Sequence, residues 1–338
     1  MRKIGLFLLL AGILVATPFS TLMADEVVVY TSVDDVFARP ISEQFERETG
    51  IKVRLVTDTE ETKSTGLLNR LIAEKKRPRA DVFWSGDPIR AAILKSKGIS
   101  SPYHSTAAKG LPPMYSDPKG HWIGFSARAR IILYNKNLVK IGSEPNSIMD
   151  LLSPEYKGNI CMANPLFGTT SMHAAALFVS FGEEKAKQYF ADLKNNGLKL
   201  LSSNGEVRRR VSSGDCAYGI TDTDDAYTAL RDGKPVGVIF PDQKGTGTLI
   251  MPNATVLIAN APHPEAAKRF IDFLLSPETE EALASGEAAQ MPLRPHLKGP
   301  EGFPELSEIQ PMQVNYSELA EALESLSKGF LREWAGRF

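Results

Sequence analysis

The stretch GITDTDDAY, residues 219–227, ends an apolar run in a cluster of carboxylates, Asp222, Asp224 and Asp225. One Asp suffices to cap the helix that AYTALRDG announces, because a carboxylate is favoured at the positive end of the helix dipole. The others have chemistry to spare. They suit a substrate ammonium, or a hard cation held through oxygen ligands, and the residue types do not separate the two. A second stretch, NPLFGTTSMHAAAL, points to anion binding. Gly168 lets a ligand approach the backbone, and Thr169, Thr170 and Ser171 set hydroxyls beside a helix N-terminus. The same residues make an ordinary Ser/Thr cap equally well. His173, just inside that helix, reads as a packed residue.

Short apolar runs alternate with amphipathic helices and must position these groups. EVVVYTS, IKVRLVT and ADVFWSG predict strands; PISEQFERETG, STGLLNRLIAEKK and PIRAAILKSKG predict helices. This order predicts an α/β fold with a parallel sheet covered on both faces. Near residue 125 the rhythm breaks into one long strand, WIGFSARARIILYNKNLV, and a second α/β series follows before the return strand GTLIMPNATVLIANA. The prediction is two lobes joined by two crossing strands: 25–125 plus 256–338, with the C-terminal helices, and 126–255. In open α/β sheets ligands bind at the carboxyl ends of strands. Those ends supply Asp34 and Asp35, Thr62 and Ser64, Trp84 and Ser85 from the first series. The second series adds Gly168 to Ser171, Asn204 and the acidic cluster. Each alone is a helix cap; together they predict two walls of one cleft.

Bulk properties narrow the function. Arg2 and Lys3, the apolar run Ile4 to Ala16, and Ala24 form a secretory leader pattern with cleavage near Ala24. The run is short of the about 20 residues a membrane span needs. The expected product is exported to the periplasm. With 39 Lys plus Arg against 40 acids, nothing favours nucleic acid. Cys161 and Cys216 could pair in an oxidising compartment, but both sit in apolar runs, and two buried free thiols are the favoured reading. The His residues (104, 121, 173, 263 and 296) show no catalytic spacing, and no nucleophile elbow or phosphate loop occurs. No cofactor is expected, although a bound metal ion is compatible with the acids. A secreted hydrolase using Asp222, Asp224 and Asp225 is the alternative, since Asp pairs also serve glycosidases.

VVVYTSVDDVFARPISEQFERETGIKVRLV, LLNRLIAEKKRPRADVFWSGDP, LLSPEYKGNICMANP and APHPEAAKRFIDFLLSPE carry a resemblance over nearly all of the chain after the leader. The sequence resembles bacterial extracellular solute-binding proteins of the ferric-iron-binding group, which feed ABC importers. The resemblance implies a two-lobed, type II periplasmic-binding-protein fold, a monomer that closes on a small ligand, and an inner-membrane permease as partner. In iron-binding members two adjacent tyrosines hold the ferric ion; Asp224 and Asp225 occupy those places here. The family's first-strand His, where present, falls near Asp34, and its anion site corresponds to Gly168 through Ser171. That exchange argues against ferric iron. An anion-binding half joined to an acidic half suits a zwitterion such as an aminophosphonate, or an organic phosphate with hydroxyls; a hard metal ion with a bound anion is the other reading.

Overall fold

The computed structural model describes residues 26–58 and 65–338. The expected leader, and with it Thr62 and Ser64, lies outside the described residues. The first series is β1 (Glu26–Thr31), α1 (Asp35–Thr49), β2 (Lys52–Thr57), α2 (Gly66–Ala73), β3 (Val82–Ser85), α3 (Pro88–Ser96) and β4 (Ser100–Ser101). The long strand is β5 (Ile123–Asn135). Beyond it come β6 (Ile160–Ala163), α4 (Gly168–Phe181), α5 (Glu183–Asn195), β7 (Lys199–Leu201), α6 (Asn204–Ser213), β8 (Tyr218–Asp222), α7 (Thr223–Arg231) and β9 (Val236–Ile239). The return strand β10 (Ile250–Ile258) leads to α8 (Pro264–Leu274), α9 (Pro277–Ser285), α10 (Tyr316–Leu326) and α11 (Phe330–Ala335).

The strands form one mixed sheet in the order β2-β1-β3-β10-β5-β8-β6-β7, with β4 on β10 and β9 on β5. β1 runs parallel to β2 and β3, and β6 runs parallel to β7 and β8. The two long strands run antiparallel to their neighbours. β5 changes partner along its length: Ile123–Ala129 pairs with β10, and Arg130–Tyr134 with β8.

Period-two burial explains the layers. Val27 and Val29 on β1 join the core under α1, α8 and α9, where Phe45 stands edge-on to Phe270 at 5.0 Å. Val28 and Tyr30, their alternates, join the core on the other face. A strand buried on both sides must be apolar throughout, and EVVVYT is. Helix α1 starts five residues before the Pro40 that opens the predicted segment. Pro40 lies inside the helix, past its first turn, and so removes one ladder bond, that to the Val36 carbonyl. The helix stops at Gly50, whose φ of 74° is the left-handed cap conformation.

The free-thiol reading of the cysteines is overturned. Cys161 on β6 and Cys216, two residues before β8, are joined as a disulfide with Cα atoms 6.1 Å apart. Neighbouring parallel strands bring them within bridging distance, a pairing that apolar flanks could not reveal. The chain's last helices pack on both series: α10 lies against α3 and α4. On α11, Phe330 meets Phe178 at 5.2 Å, and the Trp334 indole donates to the Phe190 carbonyl at 2.9 Å. Among the described residues no helix is long and apolar enough to cross a membrane.

Candidate functional site

A cleft of about 560 Å³ opens where β1, β3, β6, β7 and β8 end. Its lining includes Asp34 and Gly86 from the first series. From the second it includes Gly168, Thr169, Thr170, Asn204, Asp222, Asp224 and Asp225. Most of the expected residues are thus brought together. Asp35 is not: it begins α1 and pairs with Arg39 one turn on, at 2.6 Å. Trp84 and Ser85 are fully buried, Trp84 against Phe125. Ser171 turns away to accept from Arg90 of α3 at 2.8 Å and to donate to the Gly168 carbonyl.

The organising residue is Arg130, which the sequence analysis passed over. It is 1% exposed, and β5 delivers it from below. One guanidinium nitrogen donates to Asp222 at 2.8 Å and Asn204 at 3.1 Å; another donates to Thr170 at 2.9 Å and the Ile220 carbonyl at 3.1 Å. The second Asp222 oxygen accepts from Thr169 and Asn204. Asp222 is therefore held inside a buried network that ties the starts of α4, α6 and α7 together. A buried charge needs this degree of pairing. The same network takes the hydroxyls of Thr169 and Thr170, leaving the α4 backbone as the surface offered to the cleft.

That backbone is open. The residue capping α4 is Phe167, which has no side-chain oxygen, and Gly168 sits at φ 53° with clear space where a Cβ would stand. First-turn amides without a capping acceptor form an anion site. Arg208 and Arg209 of α6 line the cleft nearby.

The facing corner is acidic. Carboxylate oxygens of Asp222, Asp224 and Asp225 lie within 4.8 Å of one another. Burial, followed by the charges of Asp224 and Asp222, raises the Asp225 carboxyl to about 7, while Thr221 donates to it at 2.7 Å. Arg128, two residues before Arg130 and so on the same face of β5, spans the cleft. It donates to the Gly86 carbonyl on one side and lies 3.6 and 3.7 Å from Asp222 and Asp224 on the other. Burial alone would pull its pKa down, but Asp224, Asp222, Asp34 and Asp87 hold it above its ordinary value. No tyrosine lines the cleft among the described residues. His173 is buried, and burial with the Arg130 charge lowers it to about 3, which fixes a neutral, packed imidazole.

Arg128 and Arg130 were legible in principle. SARAR places two arginines two apart in an otherwise apolar strand, which sends both to one face. Arg208 and Arg209 fall in the exposed-looking run VRRRV, where nothing marks them off from a solvated helix face.

The chain matches the model described as "Bacterial extracellular solute-binding protein" over residues 78–317, and it belongs to that family. These are the substrate-binding proteins of ABC importers, and some of the relatives matched are named as periplasmic. The chain is 31% identical to "Iron uptake protein A1" of Synechocystis sp. over 267 residues, covering 75% of this chain and 71% of that one. It is 26% identical to a "Putative 2-aminoethylphosphonate-binding periplasmic protein" of Salmonella typhi, covering 83% and 78%. Among solved structures, iron-bound HitA from Pseudomonas aeruginosa superposes with a TM-score of 0.81 at 22% identity, covering 92% and 99%. The fold is the type II periplasmic-binding fold.

Proposed function

We propose that the protein captures an organic phosphate or phosphonate whose remaining part carries hydroxyls or an amine, and passes it to an inner-membrane permease. The observation that carries this reading is the pairing, in one cleft, of an uncapped α4 N-terminus beside Arg208 and Arg209 with the acidic corner of Asp224 and Asp225. The phosphoryl oxygens take the α4 amides and arginines; Asp34, Asp224 and Asp225 take the donors at the other end. The relatives span iron uptake and 2-aminoethylphosphonate binding. A cleft of about 560 Å³ without tyrosine favours the second kind of ligand. The Tyr pair of the iron-binding members is read here as replaced by Asp224 and Asp225.

The two lobes close about the crossing strands, near Phe125 to Arg130 and Met251 to Thr255, the hinge motion common to such receptors. The protein acts as a monomer, without turnover and without a resident cofactor, in the periplasm after cleavage near Ala24. The test is a thermal-shift panel of ferric citrate, aminophosphonates, sugar phosphates and polyamines. Tight binding raises the melting temperature by mass action, about 2.7 kcal/mol at a hundredfold excess over Kd. A shift with a phosphate or phosphonate compound supports the reading. A shift only with ferric citrate or a polyamine overturns it, and turnover of a bound compound would restore the hydrolase.

A further inference from the structure

The bulge of β5 is built around one residue. Ser126 is fully buried at φ 38°, a conformation a side-chain-bearing residue rarely adopts. The β5–β10 register shifts beside it, between Pro252 and Asn253. The ladder therefore cannot satisfy its backbone, and side chains do so instead. The Ser126 amide donates to Glu280 of α9 at 2.9 Å, and its carbonyl accepts from Asn253 at 3.3 Å. The same Glu280 oxygen accepts the Leu293 amide at 2.8 Å. Next along β5, Ala127 exchanges two backbone bonds with Met291 at 2.7 and 2.8 Å.

Glu280 is 0% exposed and its other oxygen accepts from buried Arg294 at 2.6 Å. Arg294 in turn donates to the carbonyls of Ala107, Lys109 and Leu275. A buried ion pair adds little net stability over apolar residues of the same size. What it supplies here is an acceptor fixed in the first half of the molecule and aimed at the one amide the bulge strands. Ser126 Oγ and Asn253 Oδ1, at the bulge, are buried without a hydrogen-bond partner among the described residues.

We infer that Glu280 is a positioning residue for lobe closure: by holding the Ser126 amide it confines bending of β5 to the residues beyond the bulge. This rests on the reading of β5 and β10 as the crossing strands, but not on the ligand class. All distances are therefore measured on the empty protein, and a failed ligand panel leaves the inference standing.

Labels at Arg54→Cys and Lys199→Cys, on the outermost strands β2 and β7, report the interlobe distance distribution by double electron–electron resonance. The variant E280Q/R294M removes the ion pair but keeps an acceptor at Ser126, and gives the parental distribution. E280M/R294M removes the acceptor, broadens the distribution, and speeds exchange of the Ser126 amide about tenfold. Ser126→Gly accepts φ 38° without strain but restores no acceptor, so, added to E280M/R294M, it leaves the distribution broad. Asn253→Leu frees the Ser126 carbonyl but leaves the Glu280–Ser126 bond and the ion pair intact, and gives the parental distribution. An unbroadened distribution in E280M/R294M overturns the inference, as does equal broadening in E280Q/R294M or in Asn253→Leu; the last two also serve should E280M/R294M be too unstable to label. A lowered melting temperature with unchanged distances would show a purely structural ion pair.

Discussion

Two helix starts face the same cleft and are loaded in opposite ways. Helix α7 begins with its own acids, Asp224 and Asp225 in the first turn and Asp222 at the cap. Helix α4 begins behind Phe167 with no acid and no capping oxygen. Both ends carry the same positive dipole and the same unsatisfied amides. In α7 the chain has supplied the negative charge itself, in excess, and Arg128, Arg130 and Thr221 answer part of it. In α4 the chain has supplied none. On the proposed reading, a helix start in this molecule is a ligand surface to the degree that its own sequence leaves it unfilled.

The comparison depends on Arg130, which positions both starts, and breaking it has the largest expected effect. Arg130→Met leaves buried Asp222 with Arg128, at 3.6 Å, as its charged partner and takes partners from Thr170, Asn204 and the Ile220 carbonyl. The expected loss is about 3–5 kcal/mol of stability, measured by urea denaturation.

Filling α4 tests the contrast directly. Phe167→Asp supplies the missing cap, so stability is expected to rise by about 1 kcal/mol. Binding of whichever phosphate or phosphonate compound the panel identifies should fall at least about tenfold, about 1.4 kcal/mol, by isothermal titration. Unchanged affinity would mean the α4 amides do not meet the ligand.

Emptying α7 works in the other direction. The Asp225 carboxyl is raised to about 7, chiefly by burial, so the folded protein holds a proton that the unfolded chain releases at lower pH. Its burial therefore costs increasing stability as pH rises from about 4 to about 7. Asp225→Asn removes that cost. Its melting temperature should match the parent near pH 4 and exceed it at pH 8, while ligand affinity falls about tenfold. A constant difference across that range would show that Asp225 ionises normally.

The smallest effect concerns Ser171, which faces Arg90 rather than the cleft. Ser171→Ala should cost about 1 kcal/mol of stability, as expected for a lost buried hydrogen bond, and leave ligand affinity unchanged by titration.

The arrangement of elements was legible because it rests on periodicities. Alternating strand and helix patterns, and the break near residue 125, anticipated the order of elements and the two long strands. The acidic corner and the glycine opening α4 were legible because each violates the local pattern. What escaped depends on facts only three dimensions supply. Nothing in GTTS shows that its hydroxyls turn inward to Asp222, Asn204, Arg130 and Arg90 while its amides remain for the cleft. Nothing local tells that Asp35 is taken by Arg39. The arginines of β5 escaped because charged residues in a strand are ordinarily read as its solvent face, and here that face is the floor of the cleft. The disulfide escaped because strand adjacency, which decides it, is a property of topology.

The docking of α11 has a consequence for the kinetics of assembly. The Trp334 indole reaches back 144 residues to the Phe190 carbonyl, and Phe330 closes over Phe178 and Phe190. Helices α4 and α5 thus cannot finish burying their aromatic rings until nearly the whole chain has been synthesised. Contacts of such separation close late and slowly, since the loop entropy must be overcome before any contact compensates for it.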